Sequence, residues 1–333
     1  MTKRGINLVV AVVVTLAGAS TSARAQDRIA NLLAQPTLSS QDRAVIQAEV
    51  AQRVDRLEKA STPSSREEAR SRLTDVVSRG KPSPAGLDAY ANICSDELLR
   101  LVSNDGFENR LDAMLVLSTL DHASSGRTIA RGLRSDDAAI RLMSARGLQR
   151  MHRKLAADPS ACRVVLEELG RAGSRETDGV VLEVLYQALD FPSDVPDFSL
   201  GREAATALAD TVKGRAEQLG AGKRDEYRDA LAIRMAKTIH ASAPQIQQRQ
   251  LRVAFGELIN ILVGRFFARD TASEYRCTLA ELIRDLESQL RAMMKDAGKS
   301  APSGSIAVDC KADLKQQEPA ARKATESLIQ ALP

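Results

Sequence analysis

Residues 106–150 read GFENRLDAMLVLSTLDHASSGRTIARGLRSDDAAIRLMSARGLQR, and this stretch decides the fold. The spacing of its apolar residues predicts two helices, a tight turn at Asp136-Asp137, and a third helix that echoes the first. Asn109-Arg110-Leu111, followed by Leu117, returns as Ile140-Arg141-Leu142, followed by Leu148. A unit that recurs in this way indicates tandem helical repeats, in which each copy buries its apolar face against its neighbours.

A fainter third copy places Val181 and Leu189 at the same spacing, so the copies begin at positions 109, 140 and 181. Asp158-Pro159 absorbs the longer second interval, because proline suits the first turn of a helix and breaks its interior. An acidic turn, an apolar residue with arginine, small residues and a leucine together resemble HEAT repeats over residues 85–190. The tryptophan of tetratricopeptide repeats and the Thr-Pro-Leu-His signature of ankyrin repeats are both missing.

The resemblance implies an all-α fold, built as a right-handed superhelix of antiparallel helix pairs. It also implies an ion pair, since the arginine of a HEAT repeat commonly pairs with the acidic turn. Asp136 or Asp137 with Arg141 matches that arrangement, whereas the third copy has Leu182 at the arginine position. Superhelices of this kind present extended concave surfaces, so the resemblance further implies that partner proteins bind along such a face.

Segments rich in proline, glycine and serine divide the rest of the chain. GKPSP at 80–84 and FPSDVPDFS at 191–199 are the clearest breaks. Beyond Pro244, two apolar stripes at three- and four-residue steps predict a long helical hairpin that closes the C-terminal end. The predicted divisions are a leader at 1–25, an N-terminal helical segment at 26–80, HEAT-like repeats at 81–190, a further helix pair at 191–243, and a C-terminal hairpin and cap at 244–333.

The N-terminal helical segment is predicted to hold three short helices between residues 27 and 79. Residues 41–60 carry a helical stripe of apolar side chains. Ser65, with Glu68 three residues later, has the spacing of a capping box and is predicted to begin the next helix.

The first 25 residues have the features of a secretory signal peptide. Lys3 and Arg4 form a basic start, an apolar run covers residues 6–17, and small residues occupy positions 23 and 25. We expect cleavage between Ala25 and Gln26, and therefore a periplasmic or secreted protein. The alternative is an uncleaved anchor, but the apolar run is much shorter than the roughly 20 residues of a membrane-spanning helix.

Removal of the leader would take away three basic residues and no acidic one, which lowers the net charge from +4 to +1. A nearly neutral protein has no general attraction for nucleic acid, and the chain lacks tryptophan for base stacking. Partners are therefore expected to be proteins of the envelope or the extracellular space. No stable membrane span is expected after cleavage, and a homo-oligomer is the alternative assembly.

Export would place the four cysteines in an oxidising compartment. We expect Cys277 to pair with Cys310, because that bond would tie a long helix to the segment beyond a loop at 299–305. A loop of this size gives about 3–4 kcal/mol in the chain-entropy account of disulfide stabilisation. In a regular stack Cys94 and Cys162 lie too far apart to bond, so either the stack is irregular there or both thiols are free and buried.

Catalytic and metal-binding patterns are mostly missing from the sequence. The three histidines, His122, His152 and His240, lie near predicted helix ends, and none is in a His-Glu dipeptide of the kind that binds iron in HEAT-like hydroxylases. Asp121-His122 with Ser124 contains the residue types of a hydrolase triad, but these residues are too close in sequence for triad geometry. We expect no enzyme activity, no cofactor and no metal site.

Basic and acidic residues are distributed unevenly along the chain. Ten basic and six acidic residues lie between 100 and 154, whereas four basic and ten acidic residues lie between 155 and 203. Residues three or four apart on a helix share a face, so two arginine groups are candidate contacts for an acidic partner. These are Arg127, Arg131 and Arg134 on one helix, and Arg146, Arg150 and Arg153 on the next long helix.

The alternative to a partner-binding role is that these arginines form an ordinary solvent-exposed surface. With no reactive constellation, the sequence favours an exported, non-catalytic scaffold for protein–protein interaction. A structural or oligomeric component of the envelope is the first alternative to that hypothesis. A HEAT-like lyase or hydroxylase is the second.

Overall fold

A computed structural model describes residues 28–104, 106–195 and 197–333. Within these residues every regular element is helical and no strand occurs, which confirms the predicted all-α class. The predicted leader and its cleavage site at Ala25 and Gln26 lie outside the described residues. No helix in the described part of the chain is both long and apolar enough to cross a membrane.

The chain divides into two compact units, of which the first ends at Thr128 and the second begins at Ile129. In the first unit, α2 packs on α3 and α4, and α5 packs on α4 and α3. The helices of this part of the chain are α1 (28–33), α2 (Ser40–Lys59), α3 (Pro63–Ser78), α4 (Pro84–Asn104), α5 (Phe107–Leu120) and α6 (Ala123–Arg131), the last of which crosses the division.

The second unit contains helix pairs in which successive helices pack against each other and against the next pair. α9, α12 and α14 form one layer, with α12 against both neighbours, while α10 packs on α7 and α13 on α15 in a second layer. The helices are α7 (Ala138–Arg150), α8 (His152–Ala156), α9 (Pro159–Gly173), α10 (Gly179–Leu189), α11 (Phe191–Asp194), α12 (Gly201–Gly220), α13 (Ala230–Ser242), α14 (Gln245–Phe267), α15 (Ser273–Asp296) and α16 (Leu314–Ala331), with 3-10 turns at Gly132–Arg134 and Glu226–Asp229.

Helix starts follow the capping chemistry of the sequence, with one correction. The predicted capping box of Ser65 and Glu68 is wrong: Thr62 is the N-cap of α3, and its hydroxyl accepts a hydrogen bond from the Ser65 backbone N–H. Pro63 occupies the first helical position, where the missing N–H costs nothing, so the helix begins earlier than predicted. Asp158 caps α9 ahead of Pro159, as the break predicted there requires.

Within the layer of α9, α12 and α14, the first two helices are held at close range by glycine. A Cβ atom at Gly214 of α12 would lie 2.2 Å from the carbonyl oxygen of Ser174, just beyond α9. A Cβ atom at Gly170 of α9 would lie 2.8 Å from the Cα of Ala207. Because no side chain separates the backbones at these points, the exposed sides of α9 and α12 lie next to each other as one surface.

Most polar contacts between helix pairs join residues about 34–46 positions apart along the chain. Arg134 and Glu168 are 34 residues apart, Tyr186 and Asp229 are 43 apart, and Arg265 reaches the Leu219 carbonyl across 46 residues. In the first unit the guanidinium of Arg66 donates to Asp112 across 46 residues. Each helix pair is therefore hydrogen-bonded mainly to the pair that follows it, and α16 is an exception: the Leu332 carbonyl accepts from Arg252, 80 residues away.

One buried ion cluster ties three elements of the second unit together. Arg215 of α12 is fully buried, and its Nε and Nη2 donate to both oxygens of Asp229 at 3.1 and 3.0 Å. Nη2 also donates to Asp225 at 2.8 Å, and the Tyr186 hydroxyl of α10 donates to Asp229 at 2.7 Å. Because each buried charge has partners, the cluster avoids the cost of an unpaired ion in the core.

The predicted bond between Cys277 and Cys310 is present, with the two sulfurs 2.09 Å apart. It joins α15 to the segment that precedes α16. Cys94 and Cys162 are free and buried, the second of the two predicted outcomes for these thiols. Burial raises the pKa of each thiol to about 12, so both stay protonated and unreactive at neutral pH.

Candidate binding face

All six arginines singled out in the sequence have exposed side chains. Arg127 belongs to the first unit, whereas Arg131, Arg134, Arg146, Arg150 and Arg153 belong to the second. The guanidinium groups of Arg146, Arg150 and Arg153 make no hydrogen bond or ion pair with the described residues. Arg134 differs, because its guanidinium is engaged within the protein, so the predicted arginine groups do not behave as equivalent contacts.

Arg134 holds the buried carboxylate of Glu168 on α9. Its Nε donates to Oε2 at 2.8 Å and its Nη2 donates to Oε1, a paired arrangement in which both groups are fixed. Nη1 of Arg171, one turn further along α9, donates to Oε1 at 2.9 Å. The hydrogen bonds from Arg134 hold the pKa of Glu168 below its usual range, with further lowering from the charges of Arg171 and Arg131.

Arg141 has a partner other than the one the HEAT resemblance implied. Its Nε and Nη2 donate to the carboxylate of Glu176 at 2.7 and 2.9 Å, and its Nη1 donates to the backbone carbonyls of Ser135 and Asp136. The carboxylate of Asp137 instead caps α7 by accepting from the Ala139 N–H. A turn carboxylate used as a cap is not free to pair with Arg141, so the arginine reaches across to the next helix pair.

These two ion pairs lie in an open cleft of about 590 Å³ between the start of α7 and the end of α9. Four guanidinium groups and three carboxylates line it. Its charged lining residues are Arg134, Asp136, Arg141, Glu168, Arg171, Arg175 and Glu176. We call this the arginine cleft.

Two further clefts continue along the same layer of helices. The second, of about 510 Å³, lies between α9 and α12 and shares Arg171 and Arg175 with the arginine cleft. The third, of about 450 Å³, lies between α12 and α14 and shares Asp210 and Lys213 with the second. The shared residues make the three clefts adjoin, and we call the whole surface the α9–α12–α14 face.

Exposed apolar side chains mark this face. Ile246 is 70% exposed and Val253 37%. Ile246 and Val253 are seven residues apart on α14 and line the same cleft, with Ala209 and Ala254 buried beneath them. Large apolar side chains left in water at a cleft are typical of surfaces that another protein covers.

Cations without an internal partner accompany those apolar side chains. Arg175, Lys213 and Arg249 line successive clefts, and none of their side chains makes a hydrogen bond or ion pair within the described chain. Carboxylates of the same clefts, including Asp210 and Glu257, are also exposed. The face therefore combines apolar contact area with charges of both signs, a composition suited to recognition of another protein.

The structure brings together a serine, a histidine and an aspartate near the residues of the apparent triad. His122 Nδ1 lies 2.9 Å from the Ser124 hydroxyl, and His122 Nε2 lies 2.8 Å from a carboxylate oxygen of Asp88, rather than of Asp121. The Asp88 side chain is 66% exposed, and the Ser124 backbone N–H also points to Nδ1 at 3.4 Å. These contacts cap the first turn of α6 and tie it to α4.

The other two histidines are buried in structural settings. His152 lies between the carboxylate of Asp194 and the carbonyl of Ala188, at 2.7 and 3.0 Å, with its ring against Phe191. His240 accepts a hydrogen bond at Nε2 from Arg252, and burial together with that guanidinium lowers its pKa to about 4. Each imidazole anchors neighbouring elements instead of facing a cleft.

Among the described residues, no group of three or more histidine, cysteine, aspartate or glutamate side chains is placed to hold a metal ion. Comparison of the chain with known protein families gives no match, and no curated protein matches it. Any assignment of function therefore rests on the geometry of the chain itself.

Proposed function

We propose that the protein is an exported, non-catalytic scaffold of HEAT-like helical repeats whose α9–α12–α14 face binds another protein of the envelope or extracellular space. The observation that carries this proposal is the coincidence of three adjoining clefts with exposed Ile246 and Val253. Buried apolar anchors supply most of the affinity of protein interfaces, and surrounding charges set orientation and specificity.

Two features support the repeat architecture within this proposal. Helix pairs hydrogen-bond mainly to the next pair, which is the contact pattern of tandem repeats, where stability comes from each unit and its neighbour. Asp137, Asp158 and Asp178 each cap a helix at the turn between elements. The disulfide between Cys277 and Cys310 is compatible with an oxidising location.

The exposed arginines of α7 and α8 have a secondary part in the proposal. Arg146, Arg150 and Arg153 lie outside the clefts and would steer an acidic partner during approach. Charges at the rim of an interface change the association rate and its salt dependence more than the final affinity.

Photo-crosslinking tests the proposal directly. A benzophenone side chain placed at Ile246 or Val253 is expected to crosslink a discrete protein in cells, because these positions would lie inside the interface. The matched control is the same substitution at Val180, which is 48% exposed on α10 and lines none of the three clefts. Equal products at all three positions would contradict a binding role for this face.

The same experiment separates the homo-oligomer from the hetero-complex. If the crosslinked product contains only this chain, at twice its mass, the face is an assembly surface between copies. Light scattering of the purified protein would then report a dimer that Ile246→Asp dissociates. A product that contains a second protein supports the scaffold.

A further inference from the structure

The arginine cleft differs chemically from the rest of the α9–α12–α14 face, because its two buried glutamates are already hydrogen-bonded to groups of the protein itself. Glu176 is buried, and its Oε1 accepts from Arg141 Nη2, the Thr177 N–H and the Asp178 N–H at 2.8–2.9 Å. Its Oε2 accepts from Arg141 Nε. With these contacts Glu176 has little capacity left to accept a hydrogen bond from a ligand.

Glu168 is engaged in the same way. It is buried, and its two oxygens accept from Nε and Nη2 of Arg134 and from Nη1 of Arg171. Both glutamates thus form the back of the cleft, where they hold guanidinium groups in place. The remaining carboxylate of the lining, that of Asp136, is exposed at the rim.

Guanidinium N–H donors on the solvent side of the cleft are still available to a ligand. A guanidinium carries five N–H donors, and Arg134 uses only its Nε and Nη2 within the described chain, which leaves Nη1. Arg175 is exposed, and its guanidinium makes no hydrogen bond or ion pair with any described residue. The ion pairs with Glu168 restrict Arg134 and Arg171, so these side chains lose little entropy when they bind a further anion.

The lining of the cleft has four guanidinium groups and three carboxylates, an excess of one positive charge. The pKa of Glu168 is held low first by the hydrogen bonds from Arg134 and then by the charges of Arg134, Arg171 and Arg131. Three guanidinium groups therefore act on a single carboxylate. A second anion, bound on the solvent side of Glu168, would meet these cations and Arg175 as well as the negative charge of Glu168.

We propose that the arginine cleft receives the carboxylate side chains of an acidic peptide segment on the partner protein. Arginine forks match carboxylates in a planar, two-bond geometry, and a cleft of about 590 Å³ accommodates several side chains. This inference rests on the proposed function, and it names the chemistry of the partner at one end of the face.

Fluorescence anisotropy with a labelled octaglutamate peptide tests the inference on the purified protein at physiological salt. Arg175→Glu is expected to weaken binding about tenfold or more, because it removes an unpaired cation and adds an anion. Arg150→Glu is the matched control: it changes the net charge equally, replaces a side chain that is also exposed, and lies outside the cleft. It is expected to change the affinity less than about twofold, the limit for a screened distant charge.

Three results would overturn the inference. They are the absence of octaglutamate binding, equal loss in both variants, and octalysine or a glycine–serine octapeptide binding as well as octaglutamate. If inorganic phosphate binds where octaglutamate does not, the first of these results would mark the site as one for small anions. Crosslinking at Ile246 does not depend on Arg175. A crosslinked product without octaglutamate binding would therefore indicate a scaffold with a non-acidic partner, whereas the absence of both would indicate a protein without a binding face.

Discussion

Arg141 and Glu176 form a paired ion contact between two successive helix pairs, with Nε–Oε2 and Nη2–Oε1 distances of 2.7 and 2.9 Å. The glutamate is buried, and the contact raises the pKa of Arg141 above its ordinary value. The same guanidinium holds the turn carbonyls of Ser135 and Asp136, so a single side chain sets the start of α7 relative to the end of α9.

Substitution Glu176→Gln is expected to destabilise the protein by about 3 kcal/mol, because it leaves the Arg141 guanidinium without its counter-ion. The free energy of unfolding from urea titration, followed by circular dichroism, measures the effect. Arg163→Gln, which disrupts the more exposed pair with Glu203, is the matched control and should cost less than about 1 kcal/mol. Equal costs would mean that the buried pair has no special weight.

The ion cluster of Arg215 and Asp229 should be the most sensitive polar site in the second unit. Arg215→Met is expected to cost about 3–5 kcal/mol, since Asp229 would remain buried without its cation. Arg202→Met removes an exposed arginine from the same helix and should stay within about 0.5 kcal/mol. If adding Asp229→Leu to Arg215→Met fails to recover any stability, the penalty does not come from an uncompensated charge.

His240 predicts a loss of stability in mild acid. Its pKa is lowered to about 4 in the folded protein, against an ordinary value of 6.5. Between these two values the imidazole is protonated in the unfolded chain but stays neutral in the folded chain, so protonation favours unfolding. The free energy of unfolding should therefore fall between about pH 6.5 and pH 4, by on the order of 3 kcal/mol.

Nuclear magnetic resonance measures the protonation of His240 directly. The His240 Cε1–H signal, assigned by its loss in His240→Asn, should not titrate above about pH 5 in the folded protein. In His240→Asn the fall in stability over that pH range should shrink. A His240 signal that titrates near pH 6.5 would refute the assignment of a neutral, buried imidazole.

The disulfide between Cys277 and Cys310 closes a loop with a sequence separation of 33 residues. Replacement of both cysteines by serine is expected to cost about 3–4 kcal/mol on the chain-entropy account. Hydrogen exchange should rise mainly in α16, which the bond tethers, and little in α9. Uniformly faster exchange through the second unit would show that the bond stabilises more than its own neighbourhood.

Several features of the fold were accessible from the sequence because they depend on local chemistry. Period-3.6 apolar spacing predicted helices throughout, Asp158-Pro159 predicted the start of α9, and the spacing of Cys277 and Cys310 predicted their bond. The partner of Arg141 was predicted wrongly, because the carboxylate of Asp137 is committed to capping α7 and only a three-dimensional arrangement brings Glu176 into reach.

The ion pairs of Glu168, Glu176 and Arg215 were also not predicted, because they too depend on the three-dimensional arrangement of the helices. Arg215 reads as a surface residue of an amphipathic helix, and nothing local marks it as fully buried. Glu168 and Glu176, in contrast, follow Arg134 and Arg141 by 34 and 35 residues. That interval is close to the 31-residue spacing of the first two copies, so aligning the charged residues by repeat would have suggested both pairs.

Glycine at position 214 has a consequence for how the face tolerates change. A Cβ atom at this position would lie 2.2 Å from the Ser174 carbonyl oxygen, so any larger residue must push α9 and α12 apart and widen the second cleft. The distance between the helix backbones that carry Arg171 and Lys213 therefore depends on this glycine. A partner that binds across both helices would meet a different helix spacing in a variant with a larger residue at this position.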